Sequence, residues 1–235
     1  MTKVIAHRGF SGKYPENTLL SFAKAIETGA EMLELDVHLT LDEEILVIHD
    51  LKLERTTDGT GPVNAYTLEE LKRFNAAKLW PDLPFEPIPT LREVLELTHG
   101  KVQVNIELKG VAHHRRLPEL VIEELDKWDE SDGFLISCFD HEVIVQIRKS
   151  WPKYACAILY GQEADPVAKA KAVDAQALHP ALGSIDESGI TEAHKAGLAV
   201  NVWTVNDPDT MERFLSWQVD GIISNYPDIL LKLRG

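Results

Sequence analysis

The sequence is poor in the features that mark several large classes of protein. Only two cysteines, Cys138 and Cys156, stand in 235 residues. Each lies inside a hydrophobic, strand-like run, which favours buried reduced thiols over a disulfide or a cysteine metal site. No run approaches the roughly 18 apolar residues of a membrane span, and no basic segment with an apolar stretch and small-residue cleavage site opens the chain. A cytoplasmic protein without a membrane span is expected. No G-x-G-x-x-G or Walker-type loop follows an apolar run, which argues against dinucleotide and nucleoside triphosphate sites. Internal repeats and low-complexity tracts are also missing. Positive charge is scarce, since 24 Lys and Arg face 38 Asp and Glu for a net charge of -14. A field of that sign repels nucleic acid and anionic membranes. Any phosphate chemistry therefore needs a local source of positive charge.

What is present is alternation. Short apolar runs at 4–7, 32–37, 102–108, 134–139, 154–160, 175–180, 198–205 and 220–224 are separated by amphipathic stretches, the pattern of repeated βα units and a parallel sheet. Eight such runs favour a closed (β/α)8 TIM barrel over an open doubly wound sheet. With 44% apolar residues the chain can bury one core of that size, and a single domain over 1–235 is expected. Ser184 with Glu187 and Thr90 with Glu93 read as capping boxes, and Asp207-Pro208 as an N-cap followed by proline at the first helical position.

One segment departs from the alternation. HLTLDEEILVIHD at 38–50 keeps a period of two through the polar turn Asp42-Glu43-Glu44, which reads as a hairpin extending the second strand. If residues 41 and 45 face each other, residue 49 lies opposite residue 37, and His49 returns to the level of Asp36. Residues 51–89 then form an excursion with one short helix from about Thr67 to Phe74. A connection this long ordinarily covers or shapes a site.

The residues suited to chemistry gather at strand ends. Glu34 and Asp36, and likewise Glu107 and Lys109, stand two apart and share a strand face. Both pairs close their strands at the end of a barrel where active sites lie. Three converging carboxylates repel one another unless a cation sits among them. Glu34, Asp36 and Glu107 are thus candidates to hold a hard dication, Mg²⁺ or Ca²⁺; the competing reading is rim ion pairs with Lys109 and Arg8. His7 and His49, also at strand ends, are candidates for a general base and a general acid. Arg8 offers forked donors to a phosphate, and Gly9 permits close backbone approach. Trp203 is the aromatic strand end singled out as a pocket wall. His179 ends its strand and is a further candidate for the mouth, whereas the face of His38 is left open because the turn can contain a bulge. His113, His114, His141 and His194 read as surface or structural residues.

Together, HRG (7–9), PENT (15–18), ELDV (34–37), VIHD (47–50) followed by LERTTDGTG, IPTLREVL (88–95), NIELK (105–109) and VWTVN (202–206) resemble the glycerophosphodiester phosphodiesterase family. The likeness runs from the first strand to the last. It implies a TIM-barrel phosphodiesterase that hydrolyses glycerophosphodiesters to sn-glycerol 3-phosphate and an alcohol with a divalent metal. By position, it implies His7 and His49 as the catalytic pair and Glu34, Asp36 and Glu107 as metal ligands. Arg8 and Lys109 would be phosphate contacts, Glu16 and Asn17 would contribute from the loop after the first strand, and Trp203 would wall the substrate pocket. The excursion at 51–89 would be the family's insertion. One departure stands at the last strand, where Ser224-Asn225 replaces the common Thr-Asp and puts an acidic role at that position in doubt. Alternatives are a related phosphodiesterase acting on lysophospholipids or phosphoinositol-type headgroups, a glycoside hydrolase using Glu34 and Glu107, and a non-catalytic phosphoester-binding barrel. The headgroup, the metal, the attacking nucleophile and any homo-oligomer are left open by the sequence.

Overall fold

The computed structural model describes residues 1–128 and 131–235. In chain order the elements are β1 (Lys3–His7), α1 (Leu19–Thr28), β2 (Met32–Leu39), β3 (Ile45–Val47), α2 (Leu68–Leu71), α3 (Leu91–Thr98), β4 (Gln103–Leu108) and α4 (Leu117–Leu125). They continue with β5 (Phe134–Cys138), α5 (His141–Ser150), β6 (Ala155–Tyr160), α6 (Pro166–Ala172), β7 (Ala177–Pro180), α7 (Glu187–Lys195), β8 (Ala199–Val202), α8 (Pro208–Ser216), β9 (Gly221–Ser224) and α9 (Pro227–Arg234). Parallel pairing runs β1-β2-β4-β5-β6-β7-β8-β9 and closes when β9 pairs with β1, while β3 lies antiparallel on β2. This is the (β/α)8 barrel that the eight apolar runs imply.

Strand alternation divides the core. Val4, Ala6, Leu33, Leu35 and Ile106 face outward against helix residues such as Phe22, Leu91 and Val121. Ile5, Met32, Leu135, Ala157, Ala177 and Ile223 form a separate apolar cluster. These are the strand positions of opposite parity, which point into the barrel. Above this apolar floor the inward face turns polar: Glu34, Asp36, Asn105, Glu107, Ser137, His179 and Asn201 are all buried. So dense a set of buried polar groups marks the end of the barrel where chemistry is to be sought.

Local signals start the helices. Thr90 and Glu93 form the expected capping box, and Asp207 caps α8 ahead of Pro208. The box expected from Ser184 and Glu187 is absent. Asp186 instead caps α7 by accepting from the Gly189 amide, and Ser184 donates to the Gly161 carbonyl. The short helix in the excursion is α2, capped by Thr67 with Glu70.

The hairpin register also differs from expectation. Leu39 pairs with Ile45 and Val37 with Val47, two residues short of the pairing that puts residue 49 opposite residue 37. The turn is longer than the three acidic residues suggest, because Thr40 Oγ1 bonds Asp42 and accepts the Glu44 amide, while Glu43 adopts φ +61°. Leu41 leaves the pair to donate its amide to the Tyr66 carbonyl. His49 therefore lies past the strand, one residue beyond the bond from the Ile48 amide to the Asp36 carbonyl.

Gly9 seats α1 against the end of β1. Its φ is +80°, and a Cβ there would lie 2.5 Å from Ser21 Oγ and 2.7 Å from the Ser21 carbonyl carbon. Both the backbone conformation and the space reject a side chain. Gly9→Ala is expected to lower unfolding free energy by at least ~2 kcal/mol, read as a shift in the urea midpoint at constant slope.

Candidate active site

The mouth of the barrel is built from the ends of β1, β2 and β4 and the segment that follows β3. His7 pairs in register with Glu34, Glu34 with Asn105, and Asp36 with Glu107, so the three carboxylates occupy adjoining positions on one inward face. Oxygens from Glu34, Asp36 and Glu107 lie within 4.8 Å of one another, and all three residues are buried. Asp36 Oδ2 accepts from Asn17 Nδ2 at 2.9 Å and lies 3.2 Å from Arg8 Nε. Glu34 accepts the Arg8 backbone amide at 3.0 Å, and Lys109 Nζ stands 2.8 Å from Glu107.

These partners are too few for three buried charges. Asp36 Oδ1 is buried without a hydrogen-bond donor, an expensive arrangement for a carboxylate. Burial, and then the charges of Asp36 and Glu107, raise Glu34 well above the carboxylate range. Burial and Asp36 push Glu107 up to about 7 even with Lys109 beside it. Rim ion pairs with Arg8 and Lys109 thus leave acidic charge uncompensated. A set of hard oxygen donors with an orphaned lone pair suits a dication, Mg²⁺ or Ca²⁺ in kind.

The two imidazoles enter by different routes. His7 Nδ1 lies 2.6 Å from Asn225 Oδ1; an amide oxygen only accepts, so Nδ1 carries the proton and Nε2 the lone pair. Burial, followed by the Arg8 charge, lowers His7 to about 4, which keeps the ring neutral near pH 7. The Asn225 that breaks the family pattern thus still supplies an acceptor, without a charge. His49 Nδ1 meets Asp50 Oδ1 at 2.6 Å, and its carbonyl oxygen contacts His38 Nε2 at 2.9 Å.

Arg8 and Asn17 both adopt left-handed backbone, φ +55° and +56°. For Asn17 this is a tolerated conformation, whereas at Arg8 it is strain fixed by the Glu34 bond to its amide. Glu16 bridges the Arg8 and Arg55 guanidinium groups. Arg55 and Arg8 hold it at about 2 despite burial.

A cavity of about 170 Å³ joins these parts, lined by His7, Arg8, Glu34, His49, Glu107 and Lys109 on its polar side. Phe139, Leu159, Trp203 and Ile223 form the apolar side. Phe139 and Trp203 meet edge to face at 5.7 Å, and Trp203 Nε1 donates to the His179 carbonyl at 2.8 Å. A cavity with one charged and one aromatic wall matches a small phosphorylated polyol ester better than a fully apolar ligand.

A model of the glycerophosphoryl diester phosphodiesterase family matches residues 7–229. The chain belongs to that family. A glycerophosphodiester phosphodiesterase of Caldanaerobacter subterraneus subsp. tengcongensis is 38% identical over 99% of this chain and 97% of its own length. One from Bacillus altitudinis is 36% identical over 100% of this chain and 98% of its own. Among solved structures, an Oleispira antarctica phosphodiesterase in complex with the product sn-glycerol-3-phosphate superposes with a TM-score of 0.94. It is 29% identical and covers 99% of this chain and 96% of that one.

In this family member, His7, Arg8, Glu34, His49, Glu107, Lys109 and Trp203 line the cavity, while Asp36 sits in the carboxylate cluster and Asn17 and Glu16 bond Asp36 and Arg8. His179 is fully buried, its Nε2 bonded to Asn201 Nδ2 at 3.0 Å. Its side chain stays inside the barrel beside Asn201 of β8 instead of lining the cavity. A wider hollow of about 870 Å³ lies at the opposite end, between Ile26, Glu31, Lys101 and Gln103, away from the cluster. Sequence reasoning missed Asp50 and Arg55, set Phe139 aside in favour of Trp203 although both are aromatic strand ends, and left Asn225 in doubt. Asp50 was signalled by its place beside His49.

Proposed function

We propose that this chain hydrolyses glycerophosphodiesters to sn-glycerol 3-phosphate and an alcohol. One observation carries the reading: Glu34 and Glu107, the charges of Arg8 and Lys109 and the two imidazoles line a single small cavity, with Asp36 buried in the same carboxylate cluster. The product bound by the Oleispira relative and the names of the bacterial relatives support the substrate class.

Glu34, Asp36 and Glu107 would hold a divalent cation, Mg²⁺ or Ca²⁺. When bound, it would offset their charge and stabilise charge that grows on the phosphoryl oxygens. Arg8 and Lys109 neutralise the diester from the protein side, already aimed and needing no reorganisation. His7 Nε2, with its lone pair free and its ring neutral, takes the proton of the attacking hydroxyl. That hydroxyl belongs to water or, through a cyclic phosphate, to the neighbouring glycerol carbon. His49 Nε2 gives a proton to the departing alkoxide, whose bond to phosphorus breaks as the new one forms. Trp203 and Phe139 wall the carbon skeleton, while Glu16 and Asn17 hold Arg8 and Asp36 in place. Water-soluble headgroup esters in the cytoplasm are the proposed substrates, in keeping with a cavity whose polar side carries the charges.

The test is release of sn-glycerol 3-phosphate from a panel of glycerophosphodiesters and lysophosphatidylcholine, assayed with and without chelator. The expected result is metal-dependent release from glycerophosphocholine or glycerophosphoethanolamine. Release from lysophosphatidylcholine alone would move the function to lysophospholipids. Binding of every diester without turnover would make the chain a phosphoester-binding barrel.

A further inference from the structure

His49 stands past the end of β3 with no strand pairing to hold it, yet a general acid works only when its proton points at the leaving oxygen. Its orientation is set by two neighbours outside the residues already assigned roles. Asp50 Oδ1 takes the Nδ1 proton at 2.6 Å, which leaves Nε2 as the ring nitrogen available to the cavity. Asp50 Oδ2 in turn bonds Arg55 Nε. The two terminal nitrogens of Arg55 then grip Glu16, Nη1 to Oε2 at 2.9 Å and Nη2 to Oε1 at 2.8 Å. Glu16 Oε1 also holds Arg8 Nη1 at 2.8 Å. Arg55 belongs to the excursion after β3, whereas Glu16 and Arg8 belong to the loop after β1.

We propose that Asp50 and Arg55 are positioning residues: Asp50 fixes the tautomer and aim of His49, and Arg55 locks Asp50 to the Glu16 that holds the phosphate-binding Arg8. This rests on the reading of His49 as general acid. The guanidinium is the one donor group able to satisfy both carboxylates at once, because its fork presents Nε to one and a parallel Nη pair to the other. Arg55 and His49 together hold Asp50 down at about 2, so the acceptor is charged throughout the working pH range. Its oxygen meets Nδ1 and so fixes the ring's orientation with Nε2 toward the cavity, by the logic through which a carboxylate orients a working histidine. At His7 the corresponding acceptor is the uncharged Asn225. The two imidazoles are thus held by partners of different charge.

The experiment compares glycerophosphoethanolamine, whose alkoxide must be protonated as it leaves, with glycerophospho-4-nitrophenol, whose phenolate leaves without a proton. Values of kcat and KM are measured for the wild type and for His49→Ala, Asp50→Ala, Asp50→Asn and Arg55→Met. Expected is a fall in kcat on the ethanolamine ester of ~10- to ~100-fold for Asp50→Ala and Arg55→Met, with a much smaller fall on the nitrophenyl ester. The ratio of the two rates then rises as it does for His49→Ala. Asp50→Asn, which keeps an acceptor oxygen but no charge, should fall between wild type and Asp50→Ala. Turnover of the nitrophenyl ester reports that each variant is folded. If His49→Ala changes the ratio while Asp50→Ala and Arg55→Met leave it at the wild-type value, the positioning role is overturned and the acid survives. If His49→Ala slows both esters equally, the acid reading itself fails and takes the proposal with it.

Discussion

His7→Ala and His49→Ala are each expected to lower turnover of glycerophosphodiesters by at least ~10²-fold, the ordinary scale for a general acid or base. Neither ring is part of the apolar core, so folding should be retained in both variants. The two losses have different physical origins. At His7 the lone pair on Nε2 exists because Asn225 Oδ1 holds the proton on Nδ1 and because burial and Arg8 keep the ring neutral. Removing it leaves the attacking hydroxyl without an acceptor. At His49 the loss would be of the proposed proton donor, whose Nδ1 meets Asp50 Oδ1. Because both act on one displacement, the double variant should fall well short of the product of the single effects. Near-normal turnover in both single variants, measured by glycerol 3-phosphate release, would remove the acid-base mechanism.

The second large effect concerns the carboxylate cluster. Chelation is expected to abolish turnover reversibly, with Mg²⁺ or Ca²⁺ restoring it, and Asp36→Asn to lower it by at least ~10²-fold with no recovery on adding either ion. Full activity after chelation would contradict the account. The same cluster predicts how stability varies with pH. Without a dication, Glu107 is raised to about 7 by burial and Asp36, against about 4.3 in an unfolded chain. Between those values the folded chain holds a proton that the unfolded chain releases, so stability falls as pH rises through that window. Glu34 shifts in the same direction and adds to the fall. A dication that replaces the proton raises the melting temperature most at the high end of the window. Melting temperatures at pH 5 and pH 8, with chelator and with Ca²⁺, check the sign; a cluster that binds no cation would show the same pH dependence in both.

Much of this was legible because it is periodic or local. The eight strands were readable from their spacing, since a parallel strand buried on both faces is a short apolar run bounded by amphipathic helix. Glu34 with Asp36 and Glu107 with Lys109 were readable because a strand puts residues two apart on one face. The hairpin register was not, as it depends on Thr40 folding back on Asp42 and Glu44 and on Tyr66 taking the Leu41 amide. The burial of His179 follows from its inward-facing place on β7 and from its bond to Asn201 on the adjacent strand β8. Asn225 reaches His7 over a sequence separation of 218, and Arg55 reaches Glu16 over 39. No local pattern announces such contacts. The cap of α7 was misplaced by two residues because Ser184 and Asp186 are both good caps, and only the bond to the Gly189 amide separates them.

The most direct measurement is a crystal structure of the chain grown with calcium and sn-glycerol 3-phosphate. One cation should touch oxygens of Glu34, Asp36 and Glu107, with the phosphate between Arg8, Lys109 and the Nε2 atoms of His7 and His49. A cation bound elsewhere, or a phosphate that meets neither imidazole, would contradict the mechanism whatever the family relationship.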